Sequence, residues 1–146
     1  MSSTAKTHHM FGYNHTADNG TGKVYMLHTS VGDIYYLDPE TFLDSAALID
    51  VEIRTNKYDM DTYNRKFCSS VRVVGDATTD ENNVKLSWSD DDYQTWSNEY
   101  SVNLSDGYPA RQRMGAFRRR AWRIFHNTDA PLRLESLEVI YDEGTS

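Results

Sequence analysis

The sequence predicts an all-β protein: an antiparallel β-sandwich, jelly-roll-like, preceded by an N-terminal arm and a hairpin. Three observations carry this. Apolar residues recur with period two in short runs, as in Ile49-Asp50-Val51-Glu52-Ile53-Arg54, the pattern of strands with one face turned inward. Clusters of Gly, Pro, Asp, Asn and Ser separate these runs every about ten to fifteen positions, the rhythm of sandwiches and barrels. No stretch shows the i, i+3, i+4 apolar spacing of an amphipathic helix.

The chain has 146 residues, about one domain's worth, with 38% hydrophobic residues that include ten tyrosines. Charged residues make up 25%, the ordinary globular share. There is no apolar run near the ~18 residues of a spanning helix. Residues 1–7 lack the apolar centre of a secretory signal. Cys68 is the single cysteine, so neither an intramolecular disulfide nor a zinc site built from cysteines can form. A net charge of −7 argues against a general membrane or nucleic-acid binder, because both partners are anionic.

In chain order, residues 1–22 hold Ser, Thr, His, Asn and Gly with almost no aliphatic side chain, and read as an arm. Residues 23–146 read as one sandwich domain, with a hairpin at 23–38 that can stand apart from 48–146. In that hairpin, Val24-Tyr25-Met26-Leu27 and Ile34-Tyr35-Tyr36-Leu37 flank a turn holding Gly32. Asp38-Pro39-Glu40-Thr41 is a second turn, since Pro39 presets φ. Residues 49–54 are the cleanest half-buried strand. Residues 67–74 follow, closed by Gly75-Asp76. Residues 84–88 alternate again, 90–95 turn, and 96–104 return. Ser105-Asp106-Gly107-Tyr108-Pro109 breaks the chain before a last pair of strands at 116–125 and 132–141. In the last strand, Leu132 and Leu134 have one parity while Leu137, Val139 and Tyr141 have the other. A β-bulge near Glu135-Ser136 reconciles the two halves.

Few residues are arranged for chemistry. Asp90-Asp91-Asp92 offers hard oxygen ligands, but lacks the calcium-loop spacing and its distal glutamate. Consecutive aspartates on a turn point in different directions, so a solvated hairpin turn is expected and no metal. His8, His9 and His15 lie in the arm, and His28 and His126 stand alone. No nucleophile elbow, phosphate loop or Cys-His pair is present, so no catalytic residue and no cofactor are expected. Cys68 reads as a buried structural thiol. Charge is segregated: residues 76–106 carry eight acids against Lys85, net −7, whereas residues 111–133 carry seven arginines against Asp129, net +6. Nucleic-acid binding by residues 111–133 fits locally but is opposed by the net charge, and two other arrangements fit this pattern. One is a lattice of ion pairs between neighbouring strands. The other is a head-to-tail contact in which Arg113, Arg118, Arg119, Arg120 and Arg123 meet the acidic stretch of the next subunit, closing a ring. Phe117, Trp122 and Phe125 read as core.

Ser89-Asp90-Asp91-Asp92-Tyr93-Gln94-Thr95-Trp96 resembles an Asp-box, S-x-D-x-G-x-T-W, matched at Ser89, Asp91, Thr95 and Trp96 with Tyr93 in the glycine position. In such a hairpin Asp91 accepts bonds from turn amides and Trp96 is buried beneath. Residues 86–99 also resemble the "L-x-W-S-D-D-G-G-x-T-W-S-N-E" segment of the packaged-DNA stabilisation (tail nozzle or stopper) proteins of short-tailed bacteriophages. Residues 113–123 resemble that family's "M-G-x-x-G-x-Y-x-x-R-x-x-W-R-R". Residues 34–42 are similar to its "I-Y-x-L-D-x-x-T-Y", and residues 51–55 with Arg65-Lys66 to its "R-T…R-K" strand pair. The succession covers residues 24–126 in order. In that family the segment follows a large β-propeller; here a single hairpin stands in that place. The resemblance implies a virion protein of a phage tail or head–tail connector, forming a homo-oligomeric ring with other tail or connector proteins, with packaged DNA as passing cargo. The alternative is a carbohydrate- or receptor-binding sandwich, which would present an exposed, coplanar pair of aromatic rings.

Overall fold

The computed structural model describes residues 8–13, 23–28, 33–36, 38–44 and 46–145. All regular structure among them is β. The chain divides into two compact units, residues 1–41 and 42–146, a division that falls within residues 38–48.

The first unit holds a three-stranded antiparallel sheet in chain order, β1 (His8–Tyr13), β2 (Lys23–His28) and β3 (Ile34–Tyr36). The register of β2 on β3 pairs Tyr25 with Tyr36 and Leu27 with Ile34, as a hairpin requires. The expectation of an arm without strands is corrected at His8–Tyr13, which pairs along its whole length with β2, from His8–His28 to Tyr13–Lys23. Six residues of low aliphatic content become a strand because the neighbouring β2 satisfies their backbone groups. The rest of the expected arm, residues 1–7 and 14–22, and the turn at 29–32 lie outside the described residues. In the next turn the Asp38 carboxylate accepts the Glu40 N–H at 3.0 Å and the Thr41 hydroxyl at 3.1 Å, closing an Asx turn around Pro39.

The second unit begins with a small hairpin, β4 (Leu43–Asp44) and β5 (Ala47–Leu48). Then come β6 (Val51–Arg54), β7 (Lys66–Gly75), β8 (Asn83–Ser89), β9 (Tyr100–Asn103), β10 (Ala110–Gln112), β11 (Ala116–Phe117), β12 (Ala121–His126) and β13 (Leu134–Glu143). They form two antiparallel sheets. One runs β6-β12-β8-β9; in the other, β7 is flanked by β13 on one side and by β10 and then β11 on the other. From β6 onward the chain changes sheet at every connection except the β8–β9 hairpin and the link from β10 to β11, two segments of one edge. This is the winding of a jelly roll in which, among the described residues, no strand flanks the outer side of β13.

Both sheets supply the core. Val71 and Val73 of β7, Val84 and Leu86 of β8, and Trp122 and Ile124 of β12 are buried together. Leu132, Leu134, Leu137 and Val139 pack against them. The change of parity in β13 is met by a register shift between Leu134 and Ser136, which leaves Glu135 as the extra residue. Both apolar halves of the strand therefore face inward. A second shift between Ile140 and Tyr141 leaves Ser69 extra on β7, where its hydroxyl donates to the Ile140 carbonyl at 3.0 Å. Gly75, which ends β7, lies so close to the Arg133 carbonyl that a Cβ would sit 2.4 Å from its oxygen.

Two strand expectations need correction. Residues 51–54 are an edge strand, not a half-buried one: Ile53 is 42% exposed. Its alternation is real, but only β12 pairs with it. The segment expected as one strand over 116–125 is broken at Arg118-Arg119 between β11 and β12. The break carries the chain from one sheet to the other.

Candidate functional site

The β8–β9 turn and the arginine-rich segment before β12 meet on one side of the second unit. The register that pairs Ala121 with Ser89 and Trp122 with Trp88 brings Arg120 opposite Asp90. The guanidinium binds that carboxylate in bidentate fashion, Nε and Nη2 each at 2.7 Å, and donates its Nη1 to the Met114 carbonyl at 2.6 Å. Arg120 is 2% exposed. Phe117 at 4.5 Å, Trp88 at 4.9 Å and Trp122 at 5.3 Å surround its guanidinium carbon. A buried cation needs such partners, because losing water without them is far more costly than a surface ion pair is stabilising. Trp88 in turn stacks on Tyr100 at 5.4 Å and 11°, and Arg111 covers Tyr100 at 4.8 Å. The result is a column of guanidinium, two rings and guanidinium.

The three aspartates of the turn diverge. Asp90 takes Arg120. Asp91 Oδ1 accepts the Thr95 N–H at 2.9 Å and the Ser89 hydroxyl at 2.8 Å, and its Oδ2 accepts the Thr95 hydroxyl. Asp92 pairs with Arg119 at 2.6 Å and with Lys57 at 3.1 Å. The Thr95 hydroxyl and amide and the Ser89 hydroxyl hold the Asp91 carboxyl down at about 2; the Lys57 ammonium and the Arg119 guanidinium lower that of Asp92. Among the described residues no three His, Cys, Asp or Glu stand together as metal ligands.

Tyr93 stands where an Asp-box carries glycine, and adopts φ +69°, after Asp92 at +62°. Left-handed backbone costs a tyrosine about 1–2 kcal/mol. Its hydroxyl offsets this by donating to the Thr55 carbonyl at 3.0 Å, tying the turn to the chain just after β6. Trp96 is half-buried, not buried as expected. Its ring lies between Arg123 at 4.9 Å and Arg54 at 5.6 Å on the sheet surface, because the return strand starts only at Tyr100.

The arginines expected to face another subunit are engaged within the chain. Arg119 pairs with Asp92, and Arg123 with Glu99 at 3.2 Å. Arg118 donates to the Tyr63 carbonyl at 2.8 Å, and Arg120 is buried on Asp90. Arg119, Arg120 and Arg123 thus have acidic partners within their own chain, the ion-pair lattice between neighbouring strands. Of the five, Arg113 projects from the exposed link between β10 and β11, where its φ is +61° and its N–H bonds the Ser69 carbonyl at 2.7 Å. Elsewhere in the unit, Cys68 is 4% exposed and burial raises its thiol pKa. Asn82 donates to the Pro131 carbonyl at 2.8 Å, which orients its amide so that Oδ1 accepts from His126 Nε2 at 2.8 Å.

Sequence reasoning missed Asp90 as the Arg120 partner, Tyr93 as a strut to Thr55, and the Trp88–Tyr100 stack. The strand register would have disclosed the first, since it sets opposite charges face to face. Comparison of the chain with protein-family models and with curated proteins gave no match.

Proposed function

We propose that this protein is a structural component of a bacteriophage virion, in the tail or head–tail connector, assembled in multiple copies around the tail axis. The single observation that carries the reading is the meeting of its two most phage-like segments. Residues 86–99 and 113–123 resemble the same family of tail proteins. They come together through Asp90–Arg120, Asp92–Arg119, Glu99–Arg123 and the Trp88–Trp122 pair at 6.1 Å. Their shared sequence features are thereby accounted for as one brace between β8 and β12, which supports a structural role rather than a catalytic one. The net charge of −7 suits a wall past which DNA slides, because a basic surface would hold phosphates.

The carbohydrate-binding alternative fares less well. The coplanar pair, Trp88 and Tyr100, has a guanidinium against each ring, so neither offers an open platform to a sugar. Tyr93 and Trp96 are tilted by 43°.

Quantitative mass spectrometry of purified phage particles from the source of this sequence tests the proposal. The chain is expected in every particle at a fixed multiple of the tail-axis symmetry, and tails lacking it should fail to mature. Its absence from intact particles, or selective binding to immobilised glycans, would overturn the reading.

A further inference from the structure

The edges of the two sheets are not alike. β6 and β9 are short, and the β10/β11 edge is broken by Arg113-Met114-Gly115. Short or interrupted edges are how sheets avoid pairing with other chains. β13 is ten residues long, and among the described residues it pairs on one side only, with β7. It is also the strand whose outer side no described strand flanks in the jelly-roll winding. Beside it lies a groove of about 410 Å³, lined by Leu137, Val139 and Tyr141 of β13, by Trp122, and by Thr55, Tyr58 and Met60 on the opposite lip. Met60 on that lip and Asp61 after it have φ +53° and +59°, and such strain in non-glycine residues clusters at binding sites and switches. The Trp122 indole N–H is buried with no acceptor among the described residues.

Within the second unit, the described residues just before β6 do not pair with β13. They fold instead as the β4–β5 hairpin, with Leu48 and Ile49 about half exposed.

Charge identifies the occupant. β13 carries Glu135, Glu138, Asp142 and Glu143 and no basic residue, and Asp59 and Asp61 flank Met60 in the chain. Glu138 meets Arg72 of β7 in an exposed pair at 3.4 Å and Glu143 accepts from Asn64 at 2.8 Å, which leaves the strand net acidic. A second copy of β13 pairing edge to edge would set these acids against one another, which is destabilising. An incoming strand would place alternate side chains in the apolar groove and the others beside Glu138 and Asp142 on the outer face.

We propose that the free edge of β13 and its groove take up an extended strand of a partner protein, apolar at alternate positions and basic between them, which completes the jelly roll. This stands on the topology and charge of the second unit and holds whatever assembly the chain serves. Backbone pairing supplies affinity, the groove selects the apolar positions, and the acids select the charge.

The test leaves the protein unchanged and varies the probe. A short peptide alternating valine and lysine is added to the full chain at up to millimolar concentration, and amide hydrogen exchange is read by NMR. Protection of alternate β13 amides should rise by about tenfold at saturation, and salt should weaken binding. The same peptide N-methylated at every residue, which removes the donors of both strand edges but keeps charge and side chains, should lose the protection. A valine–glutamate peptide should also fail. Equal protection by the N-methylated or the glutamate peptide, or none by the lysine peptide, overturns the proposal. Protection that grows with protein concentration alone overturns it in favour of a second copy. Protection already present in the monomer overturns it in favour of the chain's own residues.

Discussion

Among the described residues Asp90 and Arg120 form the most asymmetric ion pair, the carboxylate side chain 40% exposed and the guanidinium side chain 2%. Removing the exposed partner is therefore the more damaging change, because it strands the buried charge. Asp90→Ala is expected to cost about 2–3 kcal/mol, at or below the lower end for fully buried pairs because water screens Asp90. Arg120→Met should cost less than the single aspartate change combined with ordinary packing loss, and the double variant less than the sum of both. Urea titrations of the four proteins check this; additive losses would mean that the pair is not coupled. Asp91 acts on pH instead. Its folded pKa of about 2 lies below the ordinary 3.8, so its contribution is present above pH 3.8 and is lost as pH falls toward 2. The urea midpoint of Asp91→Asn should lie below that of the parent protein at neutral pH, and the two should converge as pH approaches 2. Burial lowers the His126 pKa from 6.5, so it too withdraws stability as pH falls below 6.5, which the comparison at fixed His126 cancels. Asp91 was readable from the hairpin motif alone. Asp90 was not, because its role depends on which strand lies alongside.

At the scale of the element, local pattern gave strand position well for the long strands that supply the core. β7, β8 and β13 start within about two residues of expectation. The pattern misled where an alternating run met only one neighbour, as in β6, and where a strand had to change sheets, as at Arg118-Arg119. β1, β4, β5 and β10 escaped because their strand state comes from pairing rather than from their own side chains. The bulge in β13 was legible because a parity change leaves no other way to keep Leu134 and Leu137 on one face. The groove beside β13 was not legible, since it exists only where no described strand flanks β13. Glu135 is thus required as a spacer and not for its charge. Glu135→Ala should stay within about 0.5 kcal/mol of the parent protein. Deleting Glu135 should cost about 2 kcal/mol or more, because it turns Leu132 and Leu134 off the core. Thermal unfolding of both variants checks this; equal stability would mean that the strand reseats without the bulge.

Over the whole molecule, the segregation of charge along the chain is undone in space. Arg133–Asp76, Arg123–Glu99, Arg120–Asp90 and Arg119–Asp92 each join the basic stretch to the acidic one. Arg133–Asp76 and Arg119–Asp92 are exposed and Arg123–Glu99 is partly buried on the arginine side, and exposed pairs contribute about 0–1 kcal/mol each and weaken with salt. Reversal of an arginine should then read out in folding according to its burial, not in assembly according to its charge. Arg118→Glu with Arg119→Glu should leave the second unit folded, with a loss of about 1 kcal/mol or less. Arg118→Glu with Arg120→Glu should unfold it, because a carboxylate would sit among Phe117, Trp88 and Trp122 and against Asp90. Tryptophan fluorescence follows this directly, since Trp88, Trp96 and Trp122 all lie in residues 42–146. A folded Arg118→Glu, Arg120→Glu protein with the parent's urea midpoint but a lower mass in analytical ultracentrifugation would return these arginines to a contact between subunits.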